Sequence, residues 1–398
     1  MPTTDALARP LLISVGTRPE IIKMAPVYAE LKNRGLPVVW VHTGQHREMA
    51  ETLYAFFGIA PEHHLHLERR HSGLAHLNSL LLEGLSDLYQ AVQPRAVLVH
   101  GDTTSTLASA QAAFYNDVPI GHVEAGLRTH LSREPFPEEK NREMTARLAR
   151  WHFAPTAGAA ANLLREGIAP AATHTVGNTA VDAALAASAR LDALLCAGAA
   201  VLPPQLDCLR QRLDRSSGTA QPWRLITVTA HRRENWGGGI DQIARAVARL
   251  LADHADLAVV WPVHGNPAVS DAVHRVLGAR AGAADGRLTL CPPLDYPALL
   301  WCLRRSVLAL TDSGGIQEEG AALSTPVLVL RNTTERPELI AAGAGLLVGT
   351  DEAQVVAAVS RLLADSAALH RMRQAVNPFG DGRTAARVAD VLQHDLDL

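Results

Sequence analysis

Lysine is almost missing from the 398 residues: it stands only at positions 23, 32 and 140, so arginine carries nearly all the positive charge. Lys and Arg together number 37 against 40 Asp and Glu, a formal charge of −3. That leaves no surplus of cations to hold a nucleic-acid backbone. Cysteine is scarce as well. Cys196, Cys208, Cys291 and Cys302 form no C-x-x-C pair and no metal-binding spacing, which suits reduced thiols in a cytosolic chain rather than a disulfide framework or a structural zinc. No apolar run approaches the ~20 residues that span a bilayer, and Leu11–Val15, after a polar start, is too short for a signal-peptide core. A cytoplasmic protein without nucleic-acid or membrane partners is expected. Hydrophobic residues at 47% and charged residues at 19% still provide a real core, and at roughly 150 residues per domain the length suggests two domains.

The motifs of cofactor enzymes are absent too. No G-x-G-x-x-G follows the first apolar run, and Gly343-Ala-Gly345 precedes a strand rather than opening a helix, so dinucleotide dependence has no support. The 18 histidines include His63, His64 and His66, but no H-E-x-x-H or comparable spacing occurs, and a surface turn accounts for that cluster. We expect no metal and no cofactor.

Short continuous apolar runs alternating with helical segments dominate what is present. Leu11–Val15 leads through Gly16-Thr-Arg-Pro19 into a helical stretch from 21 to 31, and strands follow at 37–42, 95–100 and 118–123. After an Ala-, Pro- and Gly-rich stretch at 186–222 the alternation restarts, with strands at 225–229, 257–262, 287–290, 307–310 and 326–330. Such runs read as buried parallel strands in βαβ units, so the expected fold is α/β with two Rossmann-like, doubly wound halves. Ligands of open α/β sheets bind beyond the carboxyl ends of the strands, which gives a two-domain version a natural cleft.

Nearly every dense polar cluster lies directly behind an apolar strand. Gly16-Thr-Arg-Pro-Glu-Ile-Ile-Lys23 puts Arg18 and Lys23 at a helix start, where N–H groups and the dipole favour an anion; a plain turn with solvated cations is the blander account. In Asp312-Ser-Gly-Gly-Ile-Gln-Glu-Glu319, Ser313, Gly314 and Gly315 open a helix, and bare glycines let a phosphate approach the backbone. Glu318 or Glu319 could then accept ribose hydroxyls; the alternative is a helix capped by Asp312 or Ser313. His231-Arg-Arg-Glu-Asn-Trp-Gly packs an imidazole, two guanidiniums and a carboxylate beside Trp236, a density more in keeping with a ligand than with an exposed loop. Asp102, Glu124 and Glu138 are acid/base candidates near strand ends. Their blander roles are N-cap, partner of Arg128 and first-turn dipole partner, respectively.

Taken in order, these strings resemble the non-hydrolysing UDP-N-acetylglucosamine 2-epimerase family. The likeness also includes Thr-Gly-Gln-His at 43–46, Gly-Asp-Thr at 101–103, His-Val-Glu-Ala-Gly-Leu-Arg at 122–128, Pro-Phe-Pro-Glu-Glu at 135–139, Pro-Val-His at 262–264 and Thr-Thr-Glu-Arg-Pro-Glu at 333–338. The resemblance implies a GT-B-like pair of domains with the active site in the interdomain cleft. Residues 1–182 would form the first, joined by a C-terminal helix at about 377–398, and 183–376 the UDP-binding second. It places Arg18, Lys23, His231, Ser313, Gly314, Gly315, Glu319 and Arg336 at the nucleotide-sugar and Asp102, Glu124, Glu138 and His231 in catalysis. A second, regulatory nucleotide-sugar site would involve Gln45, His46 and Arg232, although Glu48 departs from the family's string there; Leu299 stands where the family often has an aromatic residue near the uracil. A UDP-sugar partner and a homodimer are implied in the same way.

The C2 proton of such a sugar has no neighbouring carbonyl. Without a redox cofactor, its removal calls for loss of UDP from C1 to give 2-acetamidoglucal, followed by re-addition. Three other activities share these motifs: a hydrolysing epimerase releasing ManNAc and UDP, an epimerase of UDP-diacetamido sugar acids, and a GT-B glycosyltransferase.

Overall fold

The computed structural model describes residues 9–44, 47–216, 218, 222–281 and 285–397. Each series of alternating strands and helices builds its own all-parallel sheet. The first contains β1 (Leu11–Val15), β2 (Val38–His42), β3 (His63–His64), β4 (Ala96–His100), β5 (Ile120–Val123), β6 (Trp151–Ala154) and β7 (Thr173–Thr175), in the order β3-β2-β1-β4-β5-β6-β7. The second contains β8 (Arg224–Thr229), β9 (Leu257–Pro262), β10 (Leu288–Cys291), β11 (Ser306–Thr311), β12 (Val327–Val329) and β13 (Gly345–Leu347), in the order β10-β9-β8-β11-β12-β13. Chain direction across each sheet reverses once, between β1 and β4 and between β8 and β11. Those switch points are where such sheets open a crevice at their carboxyl ends.

The chain divides into two compact units, Met1–Ala183 with Phe379–Leu398, and Ala184–Pro378. In the first unit, β1 and β4 are buried along their whole length, as continuous apolar runs in a two-sided parallel sheet should be. Leu77, Leu81, Leu85 and Tyr89, four apart on the helix Leu74–Val92, form one stripe that shares a core with Ala108, Ala112 and Ala113 of the helix Thr104–Tyr115. In the second unit Ile240, Ile243, Val247 and Leu250 of the helix Gly239–Asp253 bury against Ile226, Val228, Val259 and Trp261.

The last helix, Thr384–Leu396, belongs to the first unit. Asp182 caps it by accepting the Ala385 N–H at 2.8 Å. The Arg34 guanidinium, at the end of the helix Arg18–Asn33, reaches Asp390 at 2.7 Å, Gln393 at 2.6 Å and the Ala386 carbonyl at 3.2 Å. Trp151 Nε1 donates to Asp395 at 2.6 Å.

One expectation is corrected here. His63 and His64 form a two-residue edge strand pairing with Val41 and His42 rather than a surface turn. β6, β7 and β13, each of three or four residues, are further strands that the apolar periodicity does not announce. Among the described residues no helix is long and apolar enough to cross a membrane.

Candidate active site

In the first unit the chain leaves β1 through Gly16, where a Cβ would collide with the Thr43 and Ser105 hydroxyls. The N–H groups of Gly16 and Thr17 do not face open solvent: both donate to the buried Glu20 carboxylate, at 2.6 and 2.7 Å. The Thr103 and Thr106 hydroxyls add two more bonds to the same group, which ties the β1 turn to the β4 turn. Arg18 is exposed at the first residue of the following helix, and Lys23 reaches inward to form an ion pair with Glu124.

Glu124 follows β5 in a left-handed conformation, φ +64°. Non-glycine residues avoid that region at a cost of order 1 kcal/mol or more, and such positions cluster where a side chain is aimed for function. Its carboxylate also accepts from Asn178 Nδ2 at 3.2 Å and lies 3.8 Å from His100 Nε2. Burial lowers the His100 pKa and keeps that imidazole neutral, so Lys23 supplies the positive partner.

Asp102 follows β4. Thr103, not Asp102, caps the helix Thr104–Tyr115, accepting the Thr106 N–H at 3.1 Å. The Asp102 carboxylate is therefore free of capping and pairs with Arg142, whose Nε and Nη2 both lie 2.7 Å from Oδ2. Burial works against the Arg142 charge, yet Asp102 and Glu139 outweigh it and raise its pKa above the ordinary value. Glu124 pairs with Lys23 and not with Arg128, which makes a two-pronged bridge to Glu166 at 2.7 and 2.9 Å. Glu138 opens the helix Glu138–Leu148, half-buried, with no hydrogen bond or ion pair among the described residues; its neighbour Glu139 is the one fully buried.

In the second unit the loops behind β8 and β11 are locked together by Asp312. Its Oδ2 accepts the N–H groups of His231 at 2.9 Å and Arg232 at 2.8 Å, and Asn235 Nδ2 at 2.8 Å. Ser313 takes the cap position of the helix Gly314–Ala322 without a side-chain capping bond, leaving that helix start lined by backbone N–H groups. A Cβ on Gly314 would meet the guanidiniums of Arg336 at 3.8 Å and Arg232 at 3.9 Å. Two cations thus flank a glycine-lined helix start, an arrangement that can hold a diphosphate. Arg336 is itself held by fully buried Glu318, Nε to Oε1 at 2.6 Å, while the half-buried Glu319 follows on the same helix. Trp236 is explained by packing against the core and by its indole N–H, which donates to the His231 carbonyl at 3.2 Å.

The His231 ring stacks on His264 with centroids 5.5 Å apart and lies 3.6 Å from Asp312 Oδ1. Burial lowers its pKa, Arg232 and His264 add to that, and Asp312 opposes them without outweighing them, so the imidazole is neutral at pH 7.

Within each unit the structure places near one another Lys23, Asp102 and Glu124 in the first, and His231, Ser313, Gly314, Gly315, Glu319 and Arg336 in the second, where Arg232, expected at the regulatory site, also stands. Gln45 and His46 lie outside the described residues. Sequence reasoning overlooks Glu20, Arg142, Glu139 and the bracing role of Asp312. Glu20 alone had a local signal, a Glu three residues after a Thr at a helix start. Among the described residues no group of three or more His, Cys, Asp or Glu side chains is placed to hold a metal.

The family model described as UDP-N-acetylglucosamine 2-epimerase matches residues 29–393. The chain belongs to that family. It is 42% identical over 387 residues to the UDP-N-acetylglucosamine 2-epimerase of Escherichia coli, covering 97% of this chain and 98% of the relative. To the Bacillus subtilis enzyme of the same name it is 41% identical over 378 residues, 95% and 93% of the two chains. Among solved structures, the Neisseria meningitidis UDP-GlcNAc 2-epimerase bound to UDP-GlcNAc superposes with a TM-score of 0.82 at 35% identity, covering 96% of this chain and 99% of that one.

Proposed function

We propose that the protein interconverts UDP-GlcNAc and UDP-ManNAc without net hydrolysis. The observation that carries this reading is the pair of separately held carboxylates in the first unit, Glu124 with Lys23 and Asp102 with Arg142. Inversion at C2 needs one group to take a proton from one face and another to return it on the opposite face. Two carboxyl groups behind different strands, each with its own cation, fit that demand better than a lone general base: one takes the C2 proton as a carboxylate, and the other, carrying a proton, delivers it to the opposite face. In the forward step the C1–O bond breaks with its electron pair leaving on UDP, the C2 proton passes to a carboxylate, and a C1=C2 double bond forms. UDP then returns to C1 as a proton reaches C2. Arg232, Arg336 and the Gly314 helix start stabilise the charge that develops on the leaving diphosphate, and Glu319 accepts the ribose hydroxyls. His231 acts on the phosphate side, where an anion would favour its cationic form. Arg18 and Glu138 complete the proposed set, with Glu138 a third proton-transfer candidate. Gln45 and His46 are assigned to a second nucleotide-sugar site; Arg232, which the resemblance implies there, is read at the diphosphate instead because a Cβ on Gly314 would meet its guanidinium at 3.9 Å. The enzyme is taken to be a cytoplasmic homodimer.

NMR of UDP-GlcNAc incubated with the protein in deuterated water tests this directly. UDP-ManNAc carrying deuterium at C2 is expected. Free ManNAc with UDP would point to hydrolysis, and turnover only with an acceptor to a glycosyltransferase. No change at all, with unreacted UDP-GlcNAc present as an activator, refutes the reading.

A further inference from the structure

The first-unit carboxylates differ in how they are held, and the difference singles out a residue outside the proposed set. Arg142 approaches Asp102 with two N–H groups, and both converge on one oxygen: Nε and Nη2 are each 2.7 Å from Oδ2. No donor among the described residues bonds to Oδ1 of Asp102, whose side chain keeps 22% exposure. A carboxylate bonded through one oxygen presents the other, with its lone pairs, in a fixed direction.

Arg142 does not float. Its third nitrogen, Nη1, donates to Glu139 Oε2 at 3.0 Å, and the Glu139 side chain is completely buried. Glu139 is anchored in turn by the backbone: its oxygens accept the Thr129 N–H at 3.0 and 3.1 Å and the His130 N–H at 2.8 Å. The adjacent Asn141 closes the frame by donating Nδ2 to the Asp102 carbonyl at 2.8 Å. Glu139 and Arg142 are three apart on the helix Glu138–Leu148 and therefore share a face. One helical turn thus brings a guanidinium and an amide to the same aspartate, and a buried anion to that guanidinium.

We propose that Arg142, braced by Glu139, is the positioning residue of Asp102: it fixes the orientation of the carboxyl group, with Oδ1 aimed at the proton to be moved. The inference rests on the reading of Asp102 as a proton-transfer group. A salt bridge serving stability alone does not require both guanidinium N–H groups to converge on one carboxylate oxygen while a fully buried carboxylate holds the third nitrogen. Lys cannot replace this geometry, since an ammonium is a point charge without the planar fork.

The test is a double-mutant cycle on the full-length enzyme, read by deuterium exchange at C2. Arg142→Gln should lower kcat about 10²-fold while KM and UDP affinity stay within a few-fold. Arg142→Lys should fall between it and the wild type. Arg142→Ala should regain rate when millimolar guanidinium is added. Glu139→Gln, which keeps the shape, should give a milder loss of the same kind. The decisive arm is Asp102→Asn combined with Arg142→Gln: a residue that acts through Asp102 adds nothing once that carboxylate is gone, so the double variant should be no slower than Asp102→Asn. Multiplying losses would overturn the inference, as would an Arg142→Gln enzyme with wild-type kcat. If Asp102→Asn alone exchanges at the wild-type rate, the reading of Asp102 fails instead, and the two failures are told apart by that single variant. Melting curves of each variant separate these effects from misfolding, which would depress UDP binding along with kcat.

Discussion

Replacing Asp312 should loosen the second unit and the loop behind β8 together. The carboxylate is fully buried, and its Oδ2 takes three donors, the His231 and Arg232 N–H groups and Asn235 Nδ2, at 2.8–2.9 Å. Hydrogen bonds to a charged group contribute about 1.5–3 kcal/mol each, so three would sum to roughly 4.5–9 kcal/mol if nothing relaxed. The loop itself is half-exposed and water can reach part of it, which reduces the expected cost of Asp312→Ala to about 3–5 kcal/mol, the range seen when one partner of a buried charged network is removed. Asp312→Asn keeps an acceptor oxygen and the shape but loses the charge, and should cost about 1–2 kcal/mol. Urea unfolding followed by tryptophan fluorescence measures both, since Trp236 and Trp261 lie in this unit. Calorimetry with UDP measures the functional half. Because Asp312 sets where Arg232 stands relative to the Gly314 helix start, UDP should bind at least tenfold more weakly, or about 1.4 kcal/mol, in the alanine variant. An Asp312→Ala protein with unchanged unfolding midpoint and unchanged UDP affinity would refute the bracing role.

Other outcomes follow from the same geometry. Glu124→Gln should reduce C2 exchange about 10²-fold or more with UDP affinity retained, whereas His231→Ala should weaken UDP binding as well; calorimetry beside the exchange rate separates them. His122 and His152 are buried in the first unit, and burial lowers their pKa values from 6.5 to about 3 and about 4. The folded state holds both neutral, so their contribution is complete above pH 6.5 and is lost as pH falls below it, by up to about 1.4 kcal/mol per pH unit for each. Denaturant midpoints of the first unit should therefore fall between pH 7 and pH 5, less so in His122→Gln, and an identical drop in both proteins would contradict the assignment. Turnover should survive EDTA and charcoal treatment without added NAD; loss that only a metal or NAD restores would rule out the elimination route.

Most of the architecture is legible in the sequence because buried parallel strands are written as continuous apolar runs. Leu11–Val15 and Leu257–Pro262 stand in the structure with the limits the pattern gives. His63–His64 and Gly345–Leu347 are too short to form a pattern, and they become strands because β2 and β12 offer an edge. The site is legible to the same degree and fails for the same reason. Asp102, Glu124 and His231 advertise themselves by following strands. Their pairings do not: Lys23, itself conspicuous at a helix start, is 101 residues from Glu124, and Arg142 is 40 from Asp102, separations at which no local spacing carries information. Asp312 looks like a helix cap in sequence because capping is what an Asp before Ser-Gly-Gly ordinarily does. Here the backbone of another loop reaches it first.

The return of the chain to the first unit has a consequence for biosynthesis. Arg34 and Asp182 wait for Asp390, Gln393 and the Ala385 N–H, which lie at the far end of the polypeptide. A chain growing from its N-terminus can complete the second unit while the first still lacks its last helix. The part made earliest is thus completed by residues made long after it, and a chain cut before Thr384 would keep the second unit's sheet and core while the first lacked the helix that Arg34 and Asp182 hold.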